Sequence, residues 1–250
     1  MIAQLLSELL KQRTTRTTWA LLIWMLALIT LIVLLHSFGL SVSSLRVAAN
    51  QPKVYGWGTS IGALFAALLG ALAITSEIRT GTIRPTLLAV PNRTLVIEAK
   101  MIAAAIGGVG IGLVAEALVC VIAGAAFAVR GIHVAITPGH FAQMFAGGAA
   151  AAALCAAIGT GVGALIRSQV GAVTALCVWL LLVESVLAGE LPSVGRFAPG
   201  ASAGALAGML PSAGSSLQLA TPAAGALLLV AYAAVALGAG ALAIEKRDLG

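Results

Sequence analysis

Residues 76–100 read SEIRTGTIRPTLLAVPNRTLVIEAK, a polar and charged stretch inside a chain that is otherwise almost continuously apolar. The stretch holds six of the chain's 22 charged residues (14 Lys and Arg, 8 Asp and Glu). Pro85 suits the first turn of a helix, and Pro91 ends one because helical geometry is disfavoured just before proline. We therefore expect a short helix over residues 83–90. This helix would form a charged protrusion at a membrane surface and would dock on another protein.

The composition of the 250-residue chain excludes a soluble domain. Hydrophobic residues make up 60% and charged residues 9%, whereas soluble domains carry about a quarter charged residues. The formal charge of +6 does not indicate a nucleic-acid partner, because the basic residues flank apolar segments instead of forming a stripe. The composition predicts an all-α polytopic membrane protein embedded in a lipid bilayer.

Six apolar segments approach or exceed the roughly 20 residues that a helix needs to cross a hydrocarbon core. Short helices dipping into the outer leaflet are expected at 188–222, which is too broken to span but too apolar for a free loop. The whole chain is then one transmembrane domain, with a cytoplasmic loop at 76–100. The six predicted spans are 19–38, 58–75, 101–127, 141–166, 170–187 and 223–244.

The first 18 residues have the pattern of an amphipathic helix. Ile2, Leu5, Leu6, Leu9 and Leu10 follow the i, i+3, i+4, i+7, i+8 spacing of one helical face. We expect this helix to lie in the membrane interface, with its basic residues towards the lipid headgroups; the alternative is a frayed start of the first span. Those basic residues are Lys11, Arg13 and Arg16.

The distribution of basic residues predicts the orientation. Six spans place both termini on one side of the membrane. Ten of the Lys and Arg residues fall on that side and four on the other, so the positive-inside rule places both termini and residues 76–100 in the cytoplasm.

Two acidic residues lie within the predicted spans. Glu116 is well inside the third span, where an ionised carboxylate costs at least a few kcal/mol unless it is paired, protonated or facing water. It is therefore a candidate for a transport pathway or for an interhelical hydrogen bond. Glu184 lies near the outer end of the fifth span, where it either lines a pathway, reaches the interface or caps the irregular segment.

Motifs for chemistry are mostly absent from the sequence. There is no GxxxxGK[ST] phosphate-binding loop, and the glycine runs at 107–112 and 159–163 lie in spans without a preceding strand, so they are not dinucleotide loops. The three cysteines lack the spacing of a disulfide framework or a metal site. The three histidines lie at or beyond the outer ends of spans, where we expect interfacial solvation and no metal; a metal site built from them is the alternative. GxxxG spacings that favour close helix packing occur at 58/62, 108/112 and 159/163.

Residues 76–100 resemble the first cytoplasmic loop of ABC-2-type permeases, the membrane subunits of ATP-driven exporters, and the six-span architecture extends that resemblance over nearly the whole chain. Residues 190–206 and the preceding Glu184 are similar to small actinobacterial members. The loop positions that match the family's pattern are Glu77, Arg79, Gly81, Thr82, Arg84, Leu87, Leu88, Pro91, Arg93 and Lys100. The resemblance implies that all of them except Lys100 couple the chain to an ATPase.

The resemblance implies a mechanism and a set of partners. A coupling helix in the loop would dock on a separate nucleotide-binding subunit, which carries ATP and Mg²⁺, so this chain would hold no cofactor and no enzyme activity of its own. Two copies, or this chain and a relative, would line one pathway in a bacterial inner membrane for a hydrophobic or amphipathic substrate.

Two other functional classes compete with this interpretation. A proton-coupled secondary transporter would use Glu116. Inverted-repeat symmetry and helices broken at the midplane would support it, and the sequence indicates neither. A membrane-embedded enzyme acting on lipid would need nucleophile, base or metal ligands clustered at one depth, whereas the sequence supplies isolated glutamates.

Overall fold

The computed structural model describes residues 2–82, 93–209 and 217–246. These residues form helices and connecting turns, with no strand among them. The helices are α1 (Ile2–Thr14), α2 (Arg16–Gly39), α3 (Val42–Leu45), α4 (Pro52–Tyr55), α5 (Trp57–Thr80), α6 (Arg93–Val129), α7 (Pro138–Ile166), α8 (Gln169–Cys177), α9 (Glu184–Glu190), α10 (Pro192–Gly195), α11 (Pro199–Leu206) and α12 (Pro222–Lys246).

Six of the helical segments are long and apolar enough to cross a membrane: α2, α5, α6, α7, the continuous run Gln169–Glu190 and α12. Successive spans alternate in direction, so one side of the bundle holds the start of α2 and the end of α5. We call this the terminal side, and the other the opposite side. The chain is thus a multi-pass α-helical membrane protein, as its composition predicts.

Helix α5 lies at the centre of the bundle. The most apolar 18-residue window of its span is 83% buried inside the protein, against 17% for α2, for Gln169–Glu190 and for α12. It packs mainly against α7 and α6, and α7 in turn packs against α12. Spans one, five and six therefore leave most of their apolar side chains outside the bundle, where a lipid-facing surface belongs.

Glycines allow the central helices to approach closely. A Cβ at Gly159 would lie 1.9 Å from the Ala67 carbonyl oxygen, and one at Gly163 would lie 2.6 Å from that of Ala71. The other two GxxxG spacings, at 58/62 and 108/112, also lie at helix–helix contacts. All three spacings singled out in the sequence thus mark places where α5, α6 and α7 touch, as expected for small residues in lipid.

The boundaries near residues 76–100 differ from the predicted loop. Helix α5 continues to Thr80 and ends at Gly81, whose φ of 73° is left-handed, while α6 already begins at Arg93. The Thr80 hydroxyl donates a hydrogen bond to the Ser76 carbonyl, so this polar residue does not interrupt α5. The short helix expected over residues 83–90 lies outside the described residues.

Helix boundaries elsewhere follow the predictions more closely. The turn expected at 167–169 is present, with Arg167 at a left-handed φ of 60° and the Ser168 hydroxyl accepting the Gly171 N–H. The expected helix over residues 1–18 ends at Thr14, and α2 begins at Arg16. Between spans five and six, the described residues form the short helices α10 and α11.

Polar side chains hold the loops of the opposite side together. The fully buried Gln51 donates to the Leu45 and His133 carbonyls and accepts the Ala135 N–H, at 3.2, 2.8 and 2.9 Å. Arg130 donates a hydrogen bond to the Leu40 carbonyl at 2.9 Å. These contacts satisfy backbone groups at helix ends and in the loop between α6 and α7.

Candidate functional site

Four charged side chains from three helices meet on the terminal side of the bundle. Lys100 of α6 lies 2.7 Å from both Glu8 Oε2 of α1 and Glu77 Oε1 of α5, measured from its Nζ. Lys11 of α1 contacts the same two carboxylates, at 2.7 Å from Glu8 Oε1 and 2.8 Å from Glu77 Oε1. We call these four residues the ion cluster. It ties α1 to the end of α5 and to the first turns of α6.

The ion cluster is largely buried and electrically balanced. Lys100 is 2% exposed, Glu8 4% and Glu77 8%, and two ammonium groups face two carboxylates. Buried charges of this kind are tolerated when each is paired and hydrogen-bonded. Burial by itself would lower the pKa of the Lys11 ammonium, but hydrogen bonds and charge attraction from Glu77 and Glu8 together raise that pKa above its usual value.

The ion cluster changes the interpretation of two residues. Lys11, expected to face lipid headgroups, instead bridges Glu8 and Glu77, while the apolar side chains of Ile2, Leu6 and Leu10 are exposed. Glu77, expected to contact an ATPase, is 8% exposed, and its carboxylate pairs with Lys11 and Lys100. Neither residue is therefore a freely exposed contact.

A cavity of about 630 Å³ lies beside the ion cluster, between α1, the start of α2 and the end of α5. Glu8, Lys11 and Glu77 line it together with Arg79, and threonines at the start of α2 complete the wall. The Arg79 side chain is exposed and makes no hydrogen bond or ion pair to another described residue. Glu77 Oε2 likewise has no hydrogen-bond partner among the described residues.

Glu116 is enclosed where α5, α6 and α7 meet. Its side chain is fully buried, and its Oε1 accepts a hydrogen bond from Thr59 Oγ1 at 2.5 Å. A Cβ at Gly58 would lie 2.6 Å from Oε2, and one at Gly148 would lie 2.6 Å from Oε1, so two glycines make room for the carboxyl group. The interhelical hydrogen bond predicted for Glu116 is present. Oε2 has no partner among the described residues.

Glu184 caps a neighbouring helix. It follows a π-helical stretch, Val178–Val183, in the fifth span and is 9% exposed. Its Oε2 accepts the backbone N–H of Gly200 at 2.8 Å, in the first turn of α11. A carboxylate at this place satisfies an unpaired N–H and interacts favourably with the helix dipole. Of the alternatives left by the sequence, this hydrogen bond agrees with capping of the irregular segment.

Of the remaining predicted coupling residues, four lie within the described part of the chain and four lie outside it. Arg79, Gly81 and Thr82 are exposed at the end of α5. Arg93 is the first residue of α6. The other predicted coupling residues, Arg84, Leu87, Leu88 and Pro91, lie outside the described residues.

Glu8 is the residue of the site that the sequence did not single out. Its spacing of three from Lys11 is compatible with a pair on one helix, but nothing in the sequence indicates Lys100 as a partner 92 positions away. Elsewhere in the described parts of the chain, no three His, Cys, Asp or Glu side chains lie close enough to hold a metal ion. The three cysteines are unpaired.

Comparison with known proteins does not assign this chain to a family. No protein-family model matches the chain, and a search of curated proteins finds no significant match. The structure therefore defines a broad class, the polytopic α-helical membrane proteins, with six candidate spans in the described residues.

Proposed function

We propose that this chain is the membrane-spanning permease subunit of an ABC exporter. With a second copy or a relative it would form the pathway for a hydrophobic or amphipathic substrate, powered by a separate ATP-binding subunit that holds ATP and Mg²⁺. Its membrane would be the bacterial inner membrane, with both termini in the cytoplasm. The resemblance of residues 76–100 to the coupling loop of ABC-2-type permeases and the six-span bundle support this proposal.

The strongest support for the proposal is the position of the ion cluster, because Glu77 and Lys100 lie near the two ends of residues 76–100. Glu77 lies one turn before the end of α5, and Lys100 lies two turns after the start of α6. Both are bound to α1 through Glu8 or Lys11. A displacement of the loop by a docked ATPase would therefore move α1, α5 and α6 together, and α5 is the central helix of the bundle.

A pull-down of the tagged protein from native membranes, with ATPase activity measured on the eluate, tests the proposal. The charge reversals Arg79→Glu and Arg84→Glu should lower the co-purified ATPase activity, because both positions belong to the loop signature and Arg79 is exposed. Arg46→Glu is the matched control, since Arg46 is an exposed arginine on the opposite side. Glu77 is unsuitable for this test because its substitution breaks the ion cluster.

Two results would contradict the proposal. One is the absence of any co-purifying ATPase from the intact chain in mild detergent. The other is a loss of ATPase activity in the Arg46→Glu control equal to that in the loop variants, which would show a general effect of charge reversal.

A proton-coupled secondary transporter is the second candidate, and it is favoured by Glu116 Oε2, which has no hydrogen-bond partner in the described part of the chain. The geometry supports it less well, since Glu116 is fully buried and does not line the cavity beside the ion cluster. In that case Glu116→Gln would abolish uptake or efflux driven by a pH gradient in proteoliposomes, whereas in an ABC exporter ATP-driven transport would not require a pH gradient.

A further inference from the structure

The cavity beside the ion cluster has a wall of net positive charge. The four charges of the ion cluster cancel, since two ammonium groups face two carboxylates. Arg79 lines the same cavity with an exposed side chain and adds one positive charge that no described residue neutralises. Lys11 is accessible as well, because its side chain is 42% exposed and the ion cluster uses only two of its three N–H donors.

The acidic residues of the cavity offer no free ion-pair partner to a cationic occupant. Glu8 is 4% exposed and Glu77 is 8% exposed, and each already pairs with both lysines of the ion cluster. An ammonium group would have to displace one of these lysines to reach a carboxylate. An anion meets Arg79 and Lys11 without displacing any partner, so the cavity selects negative charge.

A second, mainly apolar cavity adjoins the first. It has a volume of about 320 Å³ and lies between α1, α2 and α6. Its wall includes the exposed Arg13, which makes no salt bridge within the described part of the chain. The two cavities form one amphipathic site, cationic near the end of α5 and apolar beside the middle of α6. The residues that line both cavities are Gln12, Thr18 and Leu69, and those that line only the apolar one include Leu22, Ile111 and Val114.

We propose that these adjoining cavities bind one anionic phospholipid whose headgroup carries a single negative charge, as in phosphatidylglycerol. The phosphate accepts hydrogen bonds from the Arg79 guanidinium and from the remaining N–H of Lys11, and one acyl chain lies in the apolar cavity. Arg13 adds electrostatic attraction to the headgroup. This assignment does not depend on the proposed export function, and its test needs no ATPase.

The charges and the apolar wall together select this occupant. A guanidinium matches phosphate geometry and forms charge-assisted hydrogen bonds with it. A zwitterionic lipid would add an ammonium for which the described wall holds no accessible, unpaired carboxylate. A soluble anion would fill the polar cavity and leave the apolar wall exposed to water, whereas an acyl chain covers that wall.

Native mass spectrometry of the full-length protein in detergent, titrated with phosphatidylglycerol, phosphatidylethanolamine and phosphatidylcholine of the same chain length, tests the proposal. We expect phosphatidylglycerol to bind about fivefold more tightly than either zwitterionic lipid, the effect of one net charge beside accessible basic residues. Glycerophosphoglycerol, which has the headgroup without acyl chains, should bind at least about tenfold more weakly than the lipid because the apolar cavity stays empty.

One pair of variants locates the headgroup. Arg79→Gln should remove most of the preference for phosphatidylglycerol, because it deletes the unpaired positive charge of the cavity. Arg16→Gln is the matched control, since Arg16 is an exposed arginine on the same side of the bundle that lines neither cavity. Retention of the preference in this control separates the site from a general attraction of anionic lipid to basic surface.

A second pair locates the acyl chain. Gly110→Leu should weaken binding of all three lipids several-fold, because Gly110 lines the apolar cavity and a Cβ there meets nothing within 4 Å. Gly124→Leu is its control on the same helix, since Gly124 also has open space and lines neither cavity.

Equal affinity for the three lipids, or tighter binding of phosphatidylethanolamine than of phosphatidylglycerol, would overturn the proposal. So would equal effects within either variant pair. Binding of glycerophosphoglycerol as tight as that of the lipid would show that the cavity takes a soluble anion and would also overturn it.

Discussion

Glu77 near the end of α5 and Glu116 well inside α6 are both buried carboxyl groups, but their surroundings differ. Glu77 Oε1 lies within 2.8 Å of two lysine ammonium groups that come from α1 and α6. Glu116 has the hydroxyl of Thr59 as its hydrogen-bond partner, between two glycines. No ion pair to Glu116 is found among the described residues.

The difference indicates where a helical membrane protein can place ion pairs between charged side chains. Near the terminal side, long lysine side chains reach a carboxylate while their stems pack along apolar surface. Well inside the bundle, an additional cation would itself need compensation, and a short hydroxyl with glycines serves instead. Charge attraction thus stabilises the ion cluster, whereas close packing around the carboxyl group stabilises the Glu116 site.

The largest effect is expected from Lys100→Met. It removes the most buried ammonium of the ion cluster and leaves Glu8 and Glu77 facing one lysine. Breaking a buried pair by deleting one partner costs about 3–5 kcal/mol. The measurement is the unfolding temperature and free energy in detergent.

Lys53→Met is the control for this variant, because Lys53 has no salt bridge within the described part of the chain. Adding Glu8→Gln to Lys100→Met should restore part of the lost stability by rebalancing the charges. Equal stability of the Lys100 and Lys53 variants would show that the ion cluster is not a stabilising feature.

A smaller effect is expected from Gly58→Ala at the Glu116 site. The added Cβ would lie 2.6 Å from Glu116 Oε2 and 3.2 Å from its Cα, so α5 and α6 must move apart or the carboxyl group must rotate. Overpacking of this kind costs about 1–3 kcal/mol. Unfolding of Gly58→Ala, Glu116→Ala and the double variant forms a mutant cycle that measures the contact. Strict additivity would rule out a steric coupling of Gly58 to Glu116.

Thr59→Val should cost about 1 kcal/mol, because it removes the hydrogen bond to Glu116 Oε1 and keeps the shape of the side chain. Thr30→Val is the control, since the Thr30 hydroxyl bonds only to the Leu26 carbonyl one turn earlier among the described residues. The difference in unfolding free energy between the two variants measures the interhelical bond. A loss no greater than that of Thr30→Val would mean that shape alone holds Glu116.

The smallest effect concerns Lys11, whose pKa is raised above its usual 10.5 in the folded protein. A raised lysine pKa contributes stability that is fully present below the unfolded pKa and is lost as the pH rises through the folded pKa. The half-exposed position of Lys11 limits the contribution to about 1 kcal/mol or less. The unfolding temperatures of wild type and Lys11→Met should therefore differ at pH 8, and the difference should shrink as the pH rises above 10.5. A difference that grows with pH would contradict this sign.

Several features of the fold and site were predictable from sequence because they depend on local spacing. Apolar length alone predicts the six spans, and the short polar run at 167–169 predicts the turn between α7 and α8. The isolation of Glu116 among apolar residues makes an interhelical hydrogen bond one of its two expected roles, and the position of Glu184 before a broken segment makes a cap one of its alternatives. Each of these needs only the neighbouring residues.

The tertiary structure alone decided the partners. Glu8 and Lys100 are 92 residues apart, and their pairing depends on how α1 lies across the ends of α5 and α6. The same packing buries Glu77. Its charged neighbours in the sequence had predicted an exposed loop at this position. Hydrophobicity determines which segments enter the membrane, since that depends on each segment's own composition. Which charges meet depends on helix packing, and no periodicity within one helix encodes the position of another.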